Sequence, residues 1–279
     1  MRAALATVRI ESIAAGGAGV GRLADGRVVF AHRTAPDDLV EIELISEKKR
    51  FARGRLVRVL EPGAHRRVAP CPHYDRCGGC TLEHLEYHAQ LAAKARIVRD
   101  ALQRIAGLQI DLPEIAPSPR EFRYRNRVSF TLVRTPRGRV LAGFHEIDRP
   151  DRILDISASC LLPEEAVAQA WGELRSNWGD DASLLPSGPQ LRLTLRGSSA
   201  GGVGLLIEGG YSQGQPAALL QAVPSLTAIW HRPEGAAQHV LVAGNEVMTD
   251  AWSSEDVELG GSVFLQVNRA AAELLEQHV

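Results

Sequence analysis

The segment that most restricts this chain is Cys71-Pro72-His73-Tyr74-Asp75-Arg76-Cys77-Gly78-Gly79-Cys80. It puts three thiols on one short loop, and Gly78-Gly79 lets the backbone turn around a bulky centre where a Cβ would intrude. The remaining cysteine, Cys160, lies eighty residues on. The first fifteen residues carry Arg2, Arg9 and Glu11 and read as a strand rather than as the apolar core of a signal peptide, so a cytoplasmic location is expected. In a reducing compartment such cysteines are metal ligands or reactive thiols before they are disulfides. Two centres compete for them. Zinc takes four thiolates, or three with an imidazole from His73 or His84. A three-plus-one arrangement suits a [4Fe–4S] cluster, in which each iron takes one thiolate. The spacing favours the cluster and leaves zinc open.

Charge narrows the class of partner. Residues 1–140 hold 25 Lys/Arg against 15 Asp/Glu, and residues 141–279 hold 7 against 18. The net charge of −1 hides that division. A basic front half meets polyanions by electrostatic attraction and counterion release, which points to nucleic acid. No apolar run approaches the ~20 residues a helix needs to cross a bilayer, so no membrane partner is expected.

The order of patterns predicts an α+β multidomain chain. Residues 1–63 read as an OB-like five-stranded β-barrel: short alternating runs around Leu5–Ile10, Val28–Phe30, Leu39–Ile45 and 52–60, with a Gly-rich turn at 16–21. Gly19-x-Gly21-x-x-Ala24 fits a loose dinucleotide pattern, but Asp25-Gly26 and a strand follow where a helix would be needed, so it reads as a turn. Leu82, Leu85, Leu91, Ala95, Val98, Leu102 and Ile105 form one apolar stripe, predicting a helix over 82–105 that Gly107 ends. Strands are predicted at 123–134, 139–145, 190–196, 203–208, 226–231 and 239–243, and a helix near 163–178. The middle of the chain, 64–262, is thus a mixed α/β domain. His145, Glu146 and Asp155 fit no catalytic geometry and read as structural.

Two basic groups are candidate RNA contacts. Lys48, Lys49 and Arg50 with Phe51 sit at a predicted hairpin tip, where OB-like folds combine phosphate attraction with base stacking. Arg123, Arg125 and Arg127 alternate along a predicted strand and would present three cations on one face, a phosphate-binding stripe.

The Cys-x5-Cys-Gly-Gly-Cys loop, the long helix after it, Tyr124-Arg125-Asn126-Arg127, Cys160-Leu161-Leu162-Pro163 and Phe264-Leu265-Gln266-Val267-Asn268 together resemble the bacterial RNA uracil-5-methyltransferases. The resemblance covers nearly the whole chain and extends to the front barrel, which looks like the TRAM domain of the iron–sulfur ribosomal branch. It implies S-adenosylmethionine-dependent methylation of uridine C5 in ribosomal or transfer RNA, the target base being flipped out of its stack. It also implies a [4Fe–4S] cluster on Cys71, Cys77, Cys80 and Cys160, contact of Gln266 with the methyl donor, and Phe264 where the target base is received. Asn268 reads as the N-cap of a helix over 269–278.

The family's reaction needs a thiolate to attack uracil C6 and a base to remove the C5 proton. The resemblance assigns all four cysteines to the cluster, and no strand–Gly-x-Gly–helix donor site is visible. The expectation is a front portion of the enzyme: residues 263–279 would begin a Rossmann-like methyltransferase domain that is largely absent, leaving this chain inactive by itself. The helix stripe from Leu91 to Ile105 would then face solvent and favour self-association. A noncatalytic RNA-binding iron–sulfur module and, less well matched, a small electron carrier are the alternatives.

Overall fold

The computed structural model describes residues 4–109, 111, 114–252 and 255–278. By packing it divides into two compact units, Met1–Pro117 and Ser118–Val279. Residues 64–117, expected in a central domain, cluster with the barrel.

The first unit is built on a closed barrel of β1 (Leu5–Ile13), β2 (Gly19–Arg22), β3 (Val28–Ala31), β4 (Leu39–Glu47) and β5 (Phe51–Glu61), in the order β1-β2-β3-β5-β4. Alternation turns Val8, Ile10, Val29, Val40, Ile42 and Ala52 inward, where each is buried. The Gly-rich stretch 19–21, expected as a turn, is a strand. The turn itself is confined to Gly16 and Gly17, whose φ of 91° and 87° favour glycine. In β2 the glycines serve closure: a Cβ on Gly21 would run into Val8 and the Arg9 carbonyl, and one on Gly19 into Thr34 and Ile10. Only a bare backbone fits there.

After the barrel comes α1 (Tyr87–Ala101), extended by one π-helical turn over Leu102–Ala106 and closed by Gly107 at φ 68°. Helix was predicted from residue 82. Residues 82–86 instead bond back to the linker, with the Glu86 amide donating to the His65 carbonyl and Leu85 bridging to Arg66. Ala89, Ala93 and Ile97 pack against Ile13, Ala35 and Leu85. This inner face was not the stripe the sequence singled out. Of that stripe, Val98 and Ile105 are exposed, while Leu91, Ala95 and Leu102 are half-buried.

The second unit is a seven-stranded mixed sheet. Its strands are β6 (Arg127–Arg134), β7 (Val140–His145), β8 (Ile153–Asp155), β9 (Gln190–Gly197), β10 (Val203–Glu208), β11 (Leu226–Arg232) and β12 (Val240–Gly244), ordered β12-β11-β10-β9-β6-β7-β8. Only β10 and β11 pair in parallel. Helices α2 (Glu165–Asn177) and α3 (Pro216–Ala222) pack on it. Trp171 of α2 stacks on Phe130 of β6 with ring centroids 4.0 Å apart, both fully buried. A hairpin of β13 (Val247–Trp252) and β14 (Glu255–Gly260) and the helix α4 (Arg269–Glu276) follow. The strand predicted over 123–134 begins only at Arg127, because Arg123 takes a left-handed φ of 55°. The short strand β8, helix α3 and the β13–β14 hairpin were not predicted. Asp155, read as structural, grips Arg175 through both carboxylate oxygens at 2.8 and 2.7 Å and accepts from the Ala142 amide. Among the described residues no helix is long and apolar enough to cross a membrane.

Candidate functional site

The cysteine loop is built from its neighbours inward. Arg33, in the turn between β3 and β4, has a left-handed φ of 66° that sends its guanidinium under the loop. There it donates to the carbonyls of Cys80 (2.8 Å), Tyr74 (2.7 Å) and Cys77 (2.5 Å) and lies 3.7 Å above the Tyr74 ring centroid. Arg66 holds Arg33 from behind, donating to its carbonyl at 2.7 Å and to the fully buried Asp38 carboxylate at 2.6 Å. Asp38 in turn accepts from the amides of Ala35 and Gly63. A chain of charge-assisted bonds therefore runs from the barrel's interior edge to the cysteines. None of Arg33, Asp38 or Arg66 was singled out as a site residue from the sequence: Arg33 donates to backbone carbonyls, and Asp38 and Arg66 pair across 28 residues.

Cys71 and Cys77 are buried, and the Gly79 amide donates to the Cys77 sulfur at 3.3 Å. Burial pushes the Cys77 thiol up, against the pull of that amide. A buried thiol of this kind ionises when a cationic centre compensates it. His84 is not a candidate zinc ligand. Its nitrogens face the Tyr74 hydroxyl at 2.5 Å and the Thr34 carbonyl at 3.0 Å, and burial drives its pKa down to about 4, so it is a neutral structural imidazole. Burial likewise raises Tyr74 to about 12. Three thiols on one loop and a fourth far along the chain suit a [4Fe–4S] cluster, in which each iron takes one thiolate, and four thiolates also suit zinc.

Cys160 belongs to the second unit and is buried. Its carbonyl accepts from the Arg123 guanidinium at 2.8 Å. This corrects the expectation of an arginine stripe. Arg123 lies outside β6 and holds the Cys160 loop. Arg125, bridged to Pro163, has a buried Nε with no hydrogen-bond partner, and Arg127 alone stands in the strand, half-buried opposite Arg196. Three cations on one strand face are not present.

A cleft of about 380 Å³ opens beside Gln266, lined also by Asn126, Asp250, Arg269, Glu273 and Glu276. The buried Asn126 fixes the segment that carries Gln266, its side-chain amide donating to the Gln266 carbonyl at 3.2 Å and its backbone amide to Val267 at 2.9 Å. Arg269 anchors α4 through Asp250 (2.8 Å), Glu164 (2.6 Å) and the Gly197 carbonyl (2.7 Å). Arg196, nearly fully buried, adds a bond to Asp250 at 3.4 Å and one to the Val263 carbonyl at 2.8 Å. Asn268 caps α4 as expected, accepting from the Ala271 amide at 3.1 Å. The Gln266 side chain is exposed along an acidic wall, a setting complementary to a small polar cation. Phe264 is 71% exposed and in no strand, so it is not an ordinary core aromatic.

Lys48, Lys49 and Arg50 are exposed between β4 and β5, at the hairpin tip where they were expected. Phe51 is half-buried and packs edge-on against Phe30 at 6.2 Å.

Comparison with known proteins places this geometry. Residues 5–57 match the TRAM domain, which is the closed barrel. A protein of Nitratidesulfovibrio vulgaris described as an uncharacterized RNA methyltransferase is 32% identical over 294 residues, covering 96% of this chain and 61% of its own length. A 23S rRNA (uracil(1939)-C(5))-methyltransferase of Nitrosospira multiformis is 35% identical over 160 residues, 57% of this chain and 36% of its own. The solved tRNA (uracil-54, C5)-methyltransferase of Pyrococcus abyssi, in complex with S-adenosyl-L-homocysteine, shares the fold at a TM-score of 0.67 and 20% identity, over 97% of this chain and 64% of that one. The chain thus spans at most about three fifths of the length of the curated relatives it matches. The expected truncation and inactivity gain no support from relatives that align with it nearly end to end. The front barrel thus matches the TRAM domain, and almost the full length of the chain is similar to proteins described as RNA methyltransferases.

Proposed function

We propose that this chain acts in S-adenosylmethionine-dependent methylation of uracil C5 in RNA, with ribosomal RNA as the substrate. The observation that carries the reading is the near end-to-end alignment with RNA methyltransferases behind a TRAM barrel. The choice of ribosomal RNA rests on the similarity of part of the chain to a ribosomal RNA uracil methyltransferase.

Lys48, Lys49 and Arg50 attract the RNA backbone, and Phe51 and Phe264 offer rings to bases. Arg125 and Arg127 add positive charge, and Arg123 contributes by fixing the Cys160 loop. Gln266 holds the methionine end of the methyl donor in the cleft it lines. The donor supplies an electrophilic methyl group. Cys71, Cys77, Cys80 and Cys160 would hold a [4Fe–4S] cluster. Uracil C5 becomes nucleophilic once a thiolate has added at C6, and a base then removes the C5 proton. We assign neither role to a residue of this chain.

The test is methyl transfer from labelled S-adenosylmethionine to unmodified 23S rRNA and to unmodified tRNA, with the product nucleoside identified. Formation of 5-methyluridine in rRNA supports the reading. RNA binding with neither methyl transfer nor binding of S-adenosylhomocysteine would favour the noncatalytic module. For the cluster, anaerobically purified protein is expected to be brown, with broad absorption near roughly 400 nm. Cys77→Ser should abolish it.

A further inference from the structure

Away from the cysteines, the first unit brings together a second set of donor atoms that the proposed reaction does not use. His65 Nδ1 lies 3.3 Å from Glu86 Oε2 and 3.2 Å from His88 Nε2, and the last two atoms are 3.6 Å apart. Among the described residues this is the only group of three or more His, Cys, Asp or Glu donors gathered within 4.8 Å. Each of the three atoms can present a lone pair, the carboxylate oxygen always and each imidazole nitrogen in the tautomer that places the ring hydrogen on the other nitrogen. An ion about 2.0–2.1 Å from each donor in tetrahedral array separates them by ~3.3 Å, which matches the observed edges.

We propose that His65, Glu86 and His88 form a zinc site with a fourth position open to solvent. The donor set of two imidazoles and one carboxylate suits a borderline divalent ion. Backbone geometry holds it in place: the Glu86 amide donates to the His65 carbonyl at 3.0 Å, next to the Arg66–Leu85 bridge, and Glu86 is the residue from which α1 starts. The ion would clip the turn that follows β5 to the start of α1. It is distinct from the cysteine centre, because its ligands are nitrogen and oxygen.

The experiment uses the whole 279-residue protein and Co²⁺ as an optical probe for the zinc position, followed by Zn²⁺ titration with thermal unfolding. Cobalt held by the site gives visible d–d bands without the near-ultraviolet charge-transfer band of a thiolate. One equivalent with that signature, displaced by Zn²⁺ and weakened at least tenfold in His65→Gln, Glu86→Gln and His88→Gln, is the expected result. All three side chains are substantially exposed, so the variants should keep the fold; circular dichroism checks this. Zn²⁺ should also raise the thermal midpoint of the parent and not of the variants. Cobalt that binds only with thiolate charge transfer, that binds the variants as tightly as the parent, or that fails to bind would overturn the proposal.

Discussion

Arg33 concentrates the energetics of the cysteine loop in one side chain. Its three carbonyl acceptors cannot be replaced by water beneath a buried loop, and bonds from a charged donor contribute roughly 1.5–3 kcal/mol each. Arg33→Ala should therefore lower stability by about 3 kcal/mol or more in chemical denaturation and reduce the iron retained on purification. Equal iron content and an unchanged midpoint would show that the loop holds itself. The exposed cations behave differently. A Lys48→Ala, Lys49→Ala double variant should weaken RNA binding uniformly across sequences and flatten the slope of log affinity against log salt by about 1.5, since each lost phosphate contact removes roughly 0.7–0.9. The cysteine loop was legible as a candidate metal site because its spacing is a chemical pattern in itself, and Gln266 was singled out only through the family resemblance. Arg33, Asp38 and Asn126 were not, because most of their partners are peptide groups, and nothing in a sequence marks which carbonyl a guanidinium will find.

Strand β2 shows where a composition rule misleads. Glycine-rich runs signal turns, yet Gly19 and Gly21 occupy a strand because the barrel leaves no room for a Cβ. Gly21→Ala should cost about 2–4 kcal/mol as overpacking against Val8 and the Arg9 carbonyl. Gly16→Ala, which meets open space, should cost only about 1 kcal/mol for its positive φ. Comparable losses at the two positions would show that backbone strain, not barrel closure, governs this segment. In the second unit, Asp155 ties β8 to α2. Burial pushes its carboxyl up, but the Arg175 hydrogen bonds, the Ala142 amide and the nearby arginine charges bring it below the ordinary carboxylate value. A carboxyl lowered in the folded state contributes stability above the unfolded pKa of about 3.9 and loses it as pH falls through the folded value. The thermal midpoint should drop as pH falls below the ordinary carboxylate range, and Asp155→Asn should remove part of that slope. An identical acid slope in the variant would remove Asp155 from the account. The β6 misreading has a related cause: alternating arginines imitate strand periodicity, whereas the left-handed Arg123 breaks the pattern at a point that only tertiary bonding explains.

Counted by packing unit, the charge division softens. Met1–Pro117 holds 18 Lys/Arg against 14 Asp/Glu, and Ser118–Val279 holds 14 against 19, because the arginines between 120 and 139 fall in the second unit. Splitting the chain at its midpoint exaggerated the contrast, and the predicted cation stripe went with it. The α+β class, with its front barrel and mixed sheet, was legible because each imposes a periodicity, while the largely absent Rossmann-like domain gains no support. The packing boundary at Pro117 falls in the Pro-rich stretch from Pro113 to Pro119, where the sequence pattern breaks before the first strands of the second unit. The bond series from Asp38 through Arg66 and Arg33 to Tyr74, Cys77 and Cys80 begins at a carboxylate that is sealed only once the barrel has closed. Under the proposed cluster, maturation would have a direction: the front module closes first and the inorganic group is seated afterwards, so metal-free protein should keep that module intact.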